Sequence, residues 1–70
     1  MTLTGTVEKF DSGYGFIQPD NENDGFAHDV FVHFSEIVMD GFKMLHAGDR
    51  VTFSVRETER GPVAIAVELL

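Results

Sequence analysis

The chain has 70 residues, enough for one domain and no more. It has no cysteine, so neither a disulfide framework nor a thiolate metal site can brace a core that is marginal at this size. Its 5 Lys and Arg stand against 12 Asp and Glu, a net charge of −7 that argues against membranes and weighs against nucleic acid. At 43% hydrophobic and 24% charged, the chain is too apolar for a disordered tail, and no apolar run approaches the length of a membrane span. Met1-Thr2-Leu3-Thr4-Gly5 offers neither a basic n-region nor an apolar h-region. A cytoplasmic protein without a secretory signal is therefore expected, with residues 1–70 as a single domain.

The hydrophobic period is two rather than 3.6. Residues 4–10 predict a first strand of mixed polarity, and Asp11-Ser12-Gly13 a tight turn, because Asp and Ser bond back to the chain and Gly accepts positive φ. Residues 14–18 predict a second strand, ended by Pro19-Asp20, and residues 21–25 a polar loop. Residues 30–34 are the strongest strand, dominated by β-branched and aromatic side chains. Ser35-Glu36-Ile37 suits one helical turn capped by Ser35, too short to stand alone. Residues 38–48 are irregular, broken by Gly41 and Gly48. Residues 49–57 alternate cleanly: Val51, Phe53 and Val55 face one way, Arg50, Thr52, Ser54 and Arg56 the other. A turn at 58–62 leads to a last strand at 63–69 that contains Val63, Ile65 and Val67. Short strands without a long helix predict an all-β sandwich or small barrel, and closure into a barrel removes exposed edges.

Strands two and three carry more aromatic residues than a small barrel can bury. Tyr14 and Phe16 share one face of their strand, with Gly15 and Ile17 opposite; Phe31 and His33 share one face of theirs, with Val30 and Val32 opposite. Either the rings fill the core and the valines face out, or the valines fill it and the rings face out. Phe is usually buried, which favours the first arrangement. Gly15 favours the second, since a glycine between two aromatics packs little on its own face and permits close approach of a ligand or another backbone. An outward aromatic cluster marks a binding surface, and unstacked bases match it, each worth about 1–3 kcal/mol on a ring.

Ser12-Gly13-Tyr14-Gly15-Phe16-Ile17 resembles the first ribonucleoprotein motif of cold-shock domains, and Val30-Phe31-Val32-His33-Phe34 resembles the second. The similarity continues through Asp40-Gly41-Phe42-Lys43, Leu45, Ala47-Gly48, Val51-Thr52-Phe53 and Arg60-Gly61-Pro62, in order along nearly the whole chain. It implies a five-stranded antiparallel OB-type Greek-key barrel that binds single-stranded RNA or DNA, commonly pyrimidine-rich. The role implied is that of an RNA chaperone or a regulator of transcription and translation, with no catalytic step and no cofactor. Carried over to this chain, the stacking platforms would be Tyr14, Phe16, Phe31, His33, Phe34 and Phe42. Phe10 matches a partly exposed aromatic at the end of strand one, Asp29 an acid that hydrogen-bonds a base edge, and Lys43 and Arg60 positions near the bound strand.

The departures from the family pattern concern charge. Glu8-Lys9-Phe10 stands where the family usually has Lys-Trp-Phe, so Lys9 replaces a stacking tryptophan and Glu8 a basic residue. Ser12 replaces a lysine, the first turn is about two residues shorter, and the loop from Gln18 to His28 is longer and carries Asp20, Glu22 and Asp24. Lys9 suits either a phosphate contact or an ordinary solvated position, Asp29 either a base contact or a loop cap, and Phe34 and Phe42 either platforms or loop packing. Three phosphate contacts, from Lys9, Lys43 and Arg60, imply a log–log salt slope of about −2. His28, Asp29, His33 and His46 match no zinc spacing, so no metal is expected. A rival reading is a protein-interaction or self-associating module, for which the lost tryptophan and the negative charge speak. The short first turn allows a strand-exchanged dimer as well as a monomer.

Overall fold

The computed structural model describes residues 2–20 and 29–70. Alternation along five strands decides its inside and outside: β1 Leu3–Asp11, β2 Tyr14–Pro19, β3 Val30–His33, β4 Arg50–Thr58 and β5 Gly61–Leu69. They close into a barrel in the order β1-β2-β3-β5-β4, with β4 pairing back onto β1. Every pairing is antiparallel except the seam between β3 and β5, which is parallel with Phe31 opposite Val63. A 3-10 turn, Phe34–Glu36, follows β3 directly, so the helical turn begins at Phe34 and not at Ser35. The predicted polar loop at 21–25, the acids Glu22 and Asp24, and His28 lie outside the described residues.

The first turn has only two residues. Asp11 pairs with Tyr14, and Ser12 and Gly13 take φ of 58° and 88°. Positive φ at both positions matches the right-handed twist of the strands it joins.

Val7, Ile17, Val30, Val32, Val51, Phe53, Ala64 and Val67 point inward and are 0–1% exposed. Ile37, bridged in parallel to Val67, and Leu45 from the long connection complete the core. Two bulges interrupt the alternation. Val7 faces Ile17 while Lys9 faces Phe16, so Glu8 is an extra residue in β1. Thr52 faces Glu68 while Ser54 faces Ile65, which leaves an extra residue in β5 near Ala66, whose φ is 51°. Val63, Ile65 and Val67 therefore do not share a face; Ala64 and Val67 enter the core instead.

On the outer face of β1, Arg50 reaches across the strand to Asp20. Its two terminal nitrogens donate to the carboxylate at 2.6 and 2.5 Å, and one donates also to Thr6 Oγ1 at 2.7 Å. Thr4 Oγ1 donates to the same carboxylate at 2.7 Å. The Arg50 hydrogen bonds, and after them that of Thr4, hold the Asp20 carboxyl down to about 2, against an ordinary 3.8. The depressed value makes the pair's contribution complete above 3.8 and lost as pH falls through about 2.

Two predictions follow from the bulge and from the ion pair. Ala66→Gly, at an exposed left-handed position, should raise the urea midpoint by the equivalent of up to about 1 kcal/mol, whereas Ala64→Gly in the core should lower it. A lower midpoint for Ala66→Gly would show that the bulge is unstrained. Asp20→Asn should unfold at lower urea than the parent at pH 7, the gap narrowing as pH falls from 3.8 to about 2. A gap that persists unchanged at the acid end would assign the effect to something other than the carboxylate charge.

Candidate nucleic-acid interface

The register of β2 on β3 sets Tyr14 opposite His33 and Phe16 opposite Phe31. Ile17, Val30 and Val32, on the other phase, are 0% exposed. The rings therefore stand outward, and the arrangement with aromatics in the core is excluded. Tyr14 is 50% exposed, His33 is exposed, and Phe16 and Phe31 are half-buried. Phe31 is the hub: its ring centroid lies 5.9 Å from Tyr14, tilted by 31°, and 5.9 Å from Phe16, edge-on at 73°. Each such contact contributes about 0.5–1.5 kcal/mol and fixes the rings before any ligand arrives. Preset rings lose less freedom on binding.

The bulge in β1 controls what borders these rings. Unbroken alternation from Val7 would set Glu8 opposite Phe16 and turn Lys9 inward. The extra residue moves Lys9 opposite Phe16 instead, with its Nζ 5.5 Å from the ring centroid, a cation–π distance. One slip thus replaces an acid by a base at the border of the rings. The same slip turns Phe10 opposite Gly15, where it packs partly buried against the core. Gly15 itself lies where an added Cβ would sit 2.0 Å from the Lys9 carbonyl oxygen and 2.7 Å from Phe10 Cα. The close approach that this glycine permits is to the β1 backbone.

His33 ends β3 and caps the turn after it. Its Nδ1 accepts the Ser35 backbone N–H at 3.2 Å and lies 2.8 Å from Ser35 Oγ. The cap is therefore His33, not Ser35 as the sequence suggests. A backbone N–H can only donate, so Nδ1 is the acceptor in this contact. The turn lays Phe34 beside His33, with centroids 4.5 Å apart and planes at 37°. Phe34 is anchored by its N–H, which donates to the Gly13 carbonyl at 2.8 Å.

Phe34 continues the rings into a groove of about 590 Å³, shared with Phe10, Phe42, Lys43 and Met44. Phe42 is 84% exposed there, and Asp11 also lines the groove. The predicted residues thus divide into an outer face (Lys9, Tyr14, Phe16, Phe31, His33) and an end groove (Phe10, Phe34, Phe42, Lys43). Asp29, half-buried, leads into β3, and Arg60, exposed, lies in the turn between β4 and β5. Neither touches a ring among the described contacts. The parallel seam orients that turn toward the Asp29 end of β3. Of the basic residues, Arg50 is committed to Asp20. Arg56 was not singled out by the sequence: it faces Val63, which faces Phe31. Alternation puts Arg56 outward, but only the β3–β5 pairing reveals its neighbours.

A barrel of this strand order with an outward aromatic face defines an OB-type binding module. The chain belongs to the cold-shock domain family: the 'Cold-shock' DNA-binding domain matches residues 3–70. The major cold shock protein CspA of Bacillus cereus is 48% identical over 66 aligned positions, and the cold shock-like protein CspE of Bacillus anthracis is 52% identical over 66, each covering 91% of both chains. Among solved structures, drosophila Unr CSD456 matches with a TM-score of 0.79 and covers 100% of this chain at 24% identity. That likeness is one of fold, and this chain spans 27% of that one.

Gly15→Ala should destabilise the barrel by about 1–3 kcal/mol or more, because the strand carbonyl it meets cannot move aside as a side chain would. Thermal unfolding checks this; a midpoint equal to the parent's would mean that β1 and β2 can separate at that point.

Proposed function

We propose that this protein binds single-stranded RNA or DNA by stacking bases on the outer face and in the end groove, and acts as a cold-shock-type RNA chaperone or a regulator of transcription or translation. One observation carries the reading: Tyr14, Phe16, Phe31 and His33 stand outward from a barrel whose interior is already filled by Val and Ile side chains with Leu45, Phe53 and Ala64. Bases are the partners with a π face of matching size, at about 1–3 kcal/mol per stacked base. Lys9 at the edge of Phe16, Lys43 in the groove and Arg60 serve the backbone phosphates, for a salt slope of about −2. Stacking outweighs charge on this surface, consistent with a net charge of −7. Asp29 offers a carboxylate to a base edge. The favoured ligand is pyrimidine-rich, the setting is the cytoplasm, and no chemical step is involved.

Each strand of the closed barrel is already paired on both sides. A protein partner that adds a strand has no open edge to pair with, and one that covers the rings would compete with nucleic acid. The test is fluorescence anisotropy of labelled hexathymidine. Phe16→Ala and Phe31→Ala should each weaken binding by about 1–3 kcal/mol while circular dichroism stays that of the parent. Unchanged affinity in both would remove the stacking model, and a parent that fails to bind at low salt would favour the protein-interaction reading.

A further inference from the structure

A second groove, of about 400 Å³, runs over the outer face of β5. Its lining includes Ile65 and Ala66 of β5, Ser35 and Glu36 of the 3-10 turn, and Arg56 and Lys43, with the apolar residues 37–39 alongside. Lys43 also lines the groove of Phe34 and Phe42, so the two grooves share this residue. The strand registers give a second connection. Lys9, Phe16, Phe31, Val63 and Arg56 stand opposite one another across β1, β2, β3, β5 and β4 in turn. From Phe31 to Arg56 is two strand spacings, about 10 Å.

Arg56 is exposed and has no ion pair among the described residues. In this it differs from Arg50, which Asp20 holds. The second groove contains no aromatic ring, so it offers nothing on which a base can stack. It offers two cations against one acid, Glu36, over an apolar floor. A guanidinium presents a planar fork of donors that suits phosphate oxygens.

We infer that the Lys43–Arg56 groove is a phosphate subsite, holding the backbone of a single strand after it leaves the aromatic rings and carrying the footprint onto β4 and β5. The inference rests on the stacking reading above, and the test separates the two. Hexathymidine and dodecathymidine are titrated against the parent, Arg56→Gln and Arg56→Lys at several salt concentrations. Arg56→Gln should bind hexathymidine within about twofold of the parent. It should bind dodecathymidine at least about fivefold more weakly at low salt, with a salt slope shallower by about 0.7. Arg56→Lys should recover most of the loss. In the parent, the Ile65 and Ala66 amide resonances should shift with dodecathymidine and stay in place with hexathymidine.

Equal affinity of Arg56→Gln and parent for dodecathymidine would overturn the subsite. So would an equal loss on both lengths, since that is the mark of a general charge effect. Unmoved Ile65 and Ala66 resonances would overturn it independently of any variant. Failure of the parent to bind either oligonucleotide would overturn the stacking reading, and this inference with it. Binding of hexathymidine with no length-dependent effect of Arg56 would leave stacking standing and remove the subsite alone.

Discussion

A five-stranded barrel has room for one face of each strand, and in this chain branched aliphatic residues occupy it. Ile17, Val30, Val32, Val51 and Val67 are sealed inside with Phe53. Everything of the opposite phase must then meet water. On β2 and β3 that phase is aromatic, which costs solubility and brings no packing inside the barrel. The rings recover part of that cost by packing on one another around Phe31. The outward aromatic surface is therefore a by-product of how the core is filled, and its geometry is set by backbone register more than by any one side chain.

Two single-residue slips adjust this plan. The slip at Glu8 brings a lysine to the border of the rings and sends Phe10 toward the end of the barrel. The slip near Ala66 admits both Ala64 and Val67 to the core and leaves Ile65 on the outer side. Neither changes the strand order. Both change which chemistry faces outward, because a strand's side chains alternate with every residue.

Much of this was legible in the sequence. The strands and the tight turn at Asp11-Ser12-Gly13 follow from local patterning, since alternation and turn chemistry are properties of neighbouring residues, whereas patterning left open whether the rings or the valines fill the core. The family motifs added the closed barrel and the outward setting of the rings. The bulges were not legible, because an extra residue is defined by the partner strand. β1 accordingly read as a strand of mixed polarity. The cap was assigned to Ser35 because hydroxyls commonly cap; the structure gives that place to the His33 ring, whose Nδ1 reaches the same N–H. Arg56 was read as outward but not as lying two strands from Phe31, because the link runs through Val63 and the parallel seam between strands far apart in the chain.

Gly15 has a further implication. It sits between two ring residues in a motif that a reader of sequences associates with ligand binding. Yet the atom that excludes a side chain there is the carbonyl oxygen of Lys9, within the protein itself. Were this position found constant across many related chains, its constancy would record the spacing of two strands and would carry no information about which nucleotide is bound. The aromatic residues on either side point the other way and are free of that steric bar, so positions 14 and 16 can vary around a fixed point at 15.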